Sequence, residues 1–336
     1  MGDGARAFLP SLDGRSVLLM TEGVGEGAIF SSSICEQSLT LLHLLAIQGV
    51  NSYNLVMYKN ILAAVNEFTN SEIAARYAIA LAKSCQAKLS LVFVAEEKIG
   101  RDVFRHAESA LERLFIEAEG QDIEVESITE KGDPLKKIND IVRGKNTDIV
   151  FTATRREDIQ KRFFTKTLAR EFMVKLPCSV AMVRVVRMGR IHPKNILVPL
   201  RANMTNLEER ACFVAKLAQA FNSAVTLFYL TSPITSFFHG ETHLNPAQRE
   251  KRIPRDIENF TECLNRYDIH HEKKTGYGSV SRSITIEAAH RRNDLIVMGE
   301  SERSLLRSII SGNPVEDVLR ETPCNLIILR PEHEHR

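Results

Sequence analysis

No stretch of this 336-residue chain reaches the ~18–20 apolar residues that a membrane-spanning helix needs. The nearest, Leu39 to Val50, is interrupted by His43 and Gln48. The first residues set Asp3 and Asp13 against Arg6 and Arg15, and so lack the basic start and cleavage site of a secretory signal. Net charge is missing too: 44 Lys and Arg face 42 Asp and Glu, leaving +2. That balance supplies no basic field for DNA, RNA or an anionic membrane surface. The six cysteines (Cys35, Cys85, Cys178, Cys212, Cys263 and Cys324) form no C-x-x-C. This argues against a zinc site or a disulfide framework, and for reduced thiols. The expectation is a cytoplasmic protein with neither a nucleic-acid nor a membrane partner.

Recognisable catalytic and metal-binding arrangements are also lacking. His239 and His243 flank Glu241 at helical spacing, but Gly240 and Pro246 mark that stretch as loop. His270 and His271 fall in a strand and point to opposite faces. His333 and His335 sit in the tail. No metal site is expected. Cys178 and Cys324 have no evident base nearby and read as packing residues.

What the chain does contain is a duplication. Lys59-Asn60-Ile61-Leu62-Ala63-Ala64-Val65 recurs as Lys194-Asn195-Ile196-Leu197-Val198-Pro199-Leu200. Ala87 to Val94 matches Ser223 to Leu230, Asn146-Thr147-Asp148-Ile149-Val150 matches Arg292-Asn293-Asp294-Leu295-Ile296, and Leu176-Pro177-Cys178 matches Thr322-Pro323-Cys324. Four collinear blocks do not arise by chance. Each is a short aliphatic run, as in a strand buried on both faces of a parallel sheet.

Helical patterns separate the blocks. Ala74, Tyr77, Ala78, Leu81, Ala82 and Cys85 share one helical face, with Thr69 or Asn70 as the expected cap. Phe213, Val214, Leu217, Ala218 and Phe221 repeat the stripe. Further helices are expected near His106 to Glu119 and Asp256 to Tyr267. The fold class is therefore α/β, as two tandem doubly wound parallel-sheet units with right-handed crossovers.

Residues 1–56 stand apart: they hold no lysine but seven glycines, among them Gly23, Gly25 and Gly27. That glycine run superficially resembles a dinucleotide loop, yet no βαβ unit with a spaced ribose acid follows. Met57 precedes the first repeated strand. The expectation is a natural start at Met57, which the intact mass of the endogenous protein tests. Domains are expected at 57–187 and 192–331.

The second unit carries the one motif with chemistry in it: Met298-Gly299-Glu300-Ser301-Glu302, then Gly312-Asn313-Pro314, then Thr322-Pro323-Cys324. It resembles the signature of the universal stress proteins, G-x-x-G, nine residues, then G-S/T at the start of the last helix. Glycines there let backbone N–H groups approach phosphate, and the helix N-terminus favours its charge. Gly299 and Gly312 occupy the first and third glycine positions. Glu302 replaces the second, Asn313 the hydroxyl residue, and Arg201 the acid after the first strand. In the first unit the corresponding residues are Ala153, Arg156, Lys166, Thr167 and Asn66, and only Thr167 fits. Arg155, Arg156, Lys161, Arg162 and Lys166 make a basic rim there, read as a solvated loop. The turns Lys131-Gly132-Asp133-Pro134 and Tyr277-Gly278-Ser279-Val280 also match, with Asp133 and Ser279 expected to cap helices.

The resemblance covers residues 57–330. It implies a Rossmann-like, adenine nucleotide alpha hydrolase-like fold with strand order 3-2-1-4-5. It also implies pairing of Val180–Arg184 with Leu326–Arg330, so that the halves form an intramolecular pseudo-dimer. The function implied is a non-catalytic stress-response protein binding ATP or another adenine nucleotide through Gly299, Gly312, Asn313, Glu302 and Arg201, with Mg only as the companion of ATP. A homodimer of the whole chain is a further expectation. Two alternatives stand beside it. A hydrolase of the related superfamily would need an S-G-G-x-D-S loop, where this chain has Asn66-Glu67-Phe68-Thr69 and Arg201-Ala202-Asn203-Met204. A scaffold acting on a protein partner would use the insertion 232–255 with Phe237 and Phe238, which equally suits a lid over the second-unit pocket.

Overall fold

A computed structural model of the chain describes residues 58–154, 167–189, 191–230, 254–300 and 314–332. The expectations placed on residues 1–56, the basic rim 155–166, the insertion with Phe237 to His243, the loop residues Glu302, Gly312 and Asn313, and the histidine tail lie outside the described residues.

The repeated blocks are strands. The first half contributes β1 (Asn60–Val65), β2 (Lys88–Ala95), β3 (Val125–Lys131), β4 (Ile149–Ala153) and β5 (Ser179–Arg184). The second contributes β6 (Asn195–Leu200), β7 (Ala224–Leu230), β8 (His271–Gly276), β9 (Leu295–Gly299) and β10 (Asn325–Arg330). Between them run α1 (Thr69–Cys85), α2 (Arg101–Glu119), α3 (Pro134–Gly144), α4 (Leu168–Lys175), α5 (Leu207–Phe221), α6 (Arg255–Arg266), α7 (Val280–His290) and α8 (Pro314–Glu321).

All ten strands join one sheet in the order β3-β2-β1-β4-β5-β10-β9-β6-β7-β8. Each half is parallel throughout, with order 3-2-1-4-5, and the halves meet antiparallel through β5 and β10, Val180 opposite Arg330 and Arg184 opposite Leu326. The seam hides two edges that would otherwise present unpaired backbone groups. Strand alternation sends Ile61, Ala63 and Val65 to the face covered by α1, α2, α5 and α6, and Leu62 to the face covered by α3, α4, α7 and α8. Across the seam, Phe213 of α5 meets Tyr58 edge-on at 6.3 Å and stacks on Phe151 at 6.1 Å. Tyr77 of α1 meets Phe221 at 5.8 Å.

The repeated aspartates have a common task. Asp148 accepts hydrogen bonds from the backbone N–H of Lys59 and Asn60, and Asp294 from those of Lys194 and Asn195. Each ties the start of its fourth strand to the start of its first.

Capping departs from expectation in two places. The residue before α1 is Phe68, and neither Thr69 nor Asn70 caps it, because both lie inside the helix. Asn66 instead closes a tight turn by accepting from Phe68 N–H at 3.0 Å. Asp133 caps α3 through Lys136 N–H at 2.8 Å, as expected, after Gly132 at φ +134°. Ser279 precedes α7 without capping it through its side chain; Ser283 Oγ bonds the Tyr277 carbonyl instead.

Candidate functional site: two crevices at the strand ends

A doubly wound sheet opens a crevice at the carboxyl ends of its strands, where the chain crosses from one face to the other between its first and fourth strands. Both halves have one. The first, about 360 Å³, lies over β1 and β4 and carries polar side chains: Asn66, Glu67, Glu96, Lys98, Thr152 and Thr167. Two of these are engaged locally, Asn66 in its turn and Thr167 capping α4 through Arg170 N–H at 3.3 Å. The second, about 340 Å³, lies over β6 and β9 and is walled by apolar groups such as Val198, Phe228, Phe260, Ile284 and Met298. Its charged lining residues are Arg201, Arg210 and Glu300.

Of the residues singled out from sequence, Gly299 and Arg201 line this second crevice, and Pro314 begins α8 at its rim. Gly299 ends β9, and the reason for glycine there is a neighbour. A Cβ at this position would lie 1.5 Å from Nη1 of Arg210. Arg210, on the first turn of α5, is only 8% exposed. It donates through Nε to the Thr205 carbonyl at 2.9 Å, through Nη1 to Leu329 at 3.4 Å and through Nη2 to Glu300 at 2.8 Å. The guanidinium is thus pinned across the ends of β9 and β10. Burial first, and the charge of Arg201 second, push it down to about 10.

Arg210 was missed in the sequence although a signal existed. It falls three and four residues before Phe213 and Val214, in line with the buried stripe of α5, where a charged residue is out of place. The matching position in α1, counted back from the helix C-termini, is Ala74.

Glu300 was missed as well. It follows β9 beside Arg330 of β10, and its N–H bonds the Leu329 carbonyl at 2.9 Å. Both side chains are buried, and Oε2 of Glu300 and Nε and Nη1 of Arg330 have no hydrogen-bond partner. Arg330 Nη2 donates to the carbonyls of Leu176 (2.9 Å) and Cys178. Arg170 of α4 and Glu316 of α8 pair at 3.4 Å across the seam. Burial pushes the Glu300 carboxyl up to about 7, against the opposing pull of Arg170, Arg330 and Arg210. A second buried carboxyl, Glu209, accepts from Tyr58 (3.0 Å) and from Ser179; burial raises it too.

Fold and crevices together define a tandem doubly wound α/β protein with one ligand-sized cleft per half. The chain belongs to the universal stress protein family: that family's model matches residues 57–184 and again 193–330. No curated protein sequence matches the chain. Among solved structures it is similar to a universal stress protein from Archaeoglobus fulgidus, 15% identical, covering 83% of this chain and all of that one with a TM-score of 0.56. It is also similar to one assigned as a universal stress protein from Pseudomonas aeruginosa, 15% identical, covering 82% and 94% with a TM-score of 0.53. At this identity the likeness establishes the fold.

Proposed function

We propose that the chain is a cytoplasmic stress-response protein, with domains at 57–187 and 192–331, that senses an adenine nucleotide in its second half and catalyses nothing. The observation carrying this reading is the second crevice. It sits where a doubly wound sheet takes its ligands, has apolar walls for a flat base, and is lined by two arginines, Arg201 and Arg210. Among the described residues its lining holds no Ser, Thr, Cys, His, Asp or Lys that would make a nucleophile–base pair.

The test is calorimetric titration of the full chain with adenosine, AMP and ATP, the last with and without Mg. The control is Val280→Trp, a half-exposed residue at the start of α7 that lines the crevice. Saturable binding near one nucleotide per chain, lost in the control, supports the sensor. Absence of binding up to millimolar nucleotide rejects it and leaves a scaffold working through protein contacts.

A further inference from the structure

The second crevice holds an electrostatic arrangement that the apolar fold around it does not explain. Arg210 is buried, and its three hydrogen bonds all go to neutral backbone carbonyls. A guanidinium has five N–H donors, so two remain. Arg201 is exposed and lines the same crevice, and its charge disfavours that of Arg210. Neither forms an ion pair with a carboxylate among the described residues. Two acids are in range, Glu209 and Glu300, and both carboxylates favour the charged form of Arg210 without bonding it. Glu209 is taken by Tyr58 and Ser179. Glu300 lines the same crevice, and its carboxyl feels Arg170 and Arg330 as well as Arg210. Even with those acids in range, burial leaves the Arg210 cation disfavoured, and a ligand's counter-charge would relieve that cost.

We propose that Arg201 and Arg210 form the anion-receiving end of the second crevice, so that its ligand is an apolar body bearing one anionic group and binds without a divalent cation. Resting on the adenine-nucleotide reading, this makes a nucleoside monophosphate the preferred adenine ligand. A planar guanidinium fork suits both phosphate and carboxylate. The volume of about 340 Å³ lies at the small end of the roughly 300–1,000 Å³ of small-molecule sites. The first half lacks the device: Ala74 stands at the position of Arg210 and Asn66 at that of Arg201.

The experiment titrates the full chain in EDTA with AMP, adenosine and decanoate, and separately with ATP and Mg. Arg201→Gln is the principal variant, because its exposed side chain can be lost without harm to the fold; Arg201→Lys tests rescue by charge, and Arg210→Lys probes the buried partner. The expected result is AMP bound in EDTA at least as tightly as ATP with Mg. AMP should weaken about ten- to a hundredfold in Arg201→Gln, as for a lost hydrogen bond to a charged group. Adenosine should be unaffected by that change, and Arg201→Lys should recover part of the loss. AMP binding that requires Mg, or that Arg201→Gln leaves unchanged, overturns the inference. Decanoate separates this inference from the nucleotide reading. Arg201-dependent decanoate binding with no nucleotide bound upholds the guanidinium pair and rejects the adenine ligand, whereas binding of neither rejects both.

Discussion

Replacing Glu300 by Gln is expected to stabilise this protein at alkaline pH and to do little at acid pH. Glu300 is 8% exposed, and its Oε2 has no partner. Moving its carboxyl from the ordinary 4.5 to about 7 corresponds to about 3 kcal/mol at about 1.4 kcal/mol per unit. The sign follows from which state holds the proton more tightly. Since the folded value lies above the unfolded one, the advantage of the neutral carboxyl is fully present below pH 4.5. It is lost as pH rises through about 7. Gln keeps the shape of the neutral acid and cannot ionise. Urea unfolding of both proteins at pH 5 and pH 8, with other titrating groups cancelling in the difference, should show the variant gaining about 2–3 kcal/mol on the parent between the two pH values. Parallel pH profiles would refute the reasoning, and so would a variant that loses ground at pH 8. The first result would mean that the attraction of Arg170 and Arg330 balances the burial of Glu300, the second that it outweighs it.

Three other outcomes are expected. Gly299→Ala drives a methyl group into Arg210 and should cost about 3 kcal/mol or more by displacing a buried, hydrogen-bonded guanidinium. A thermal double-mutant cycle with Arg210→Ala should show that most of this cost disappears once Arg210 is gone. Phe213→Ala, at a site 0% exposed that touches Tyr58 and Phe151 across the seam, should cost about 3–5 kcal/mol in urea unfolding. Cys85, Cys178, Cys212, Cys263 and Cys324 are all free and buried, with burial raising each thiol. They should resist dithiobisnitrobenzoate at pH 8 until denaturant is added; rapid reaction of the native protein at these five positions would contradict their burial.

The sheet was legible because the cause of each strand is local. A run such as Asn195 to Leu200 must be buried on both faces, and its duplicate at Asn60 to Val65 confirms the reading. The seam followed from the family resemblance, and the register of Val180 to Arg184 against Leu326 to Arg330 is as that resemblance implied. The site was less legible because its determinants are distant in sequence. Gly299 reads as a loop glycine beside phosphate. Its lack of a side chain, however, admits Arg210, 89 residues earlier by number and adjacent only because β9 and β10 end beneath the start of α5. Glu300 looks like one more exposed loop acid. Burial appears only once α4 and α8 are laid over the ends of β9 and β10. The expected cap of α1 failed, unlike that of α3 by Asp133, for the same reason: the Asn66 turn decides where the helix starts, and no propensity of Thr69 or Asn70 can override it.

Fusion of two copies also permits what a two-fold dimer forbids. In a homodimer, a residue facing its own symmetry mate meets an identical group, and a charged residue there is repelled. Arg170 and Glu316 are repeat equivalents, each at the third position of its helix, α4 and α8. They pair with opposite charge across the seam at 3.4 Å. The same freedom separates the crevices. Where one half has Arg210, Gly299 and Glu300, the other has Ala74, Ala153 and Thr154, and the polar cleft of the first half contrasts with the apolar, arginine-lined cleft of the second. A change at one of these positions alters one crevice and leaves its partner as it was. The tandem arrangement therefore provides two unlike sites on one continuous sheet, and a ligand suited to paired guanidinium groups will distinguish between them.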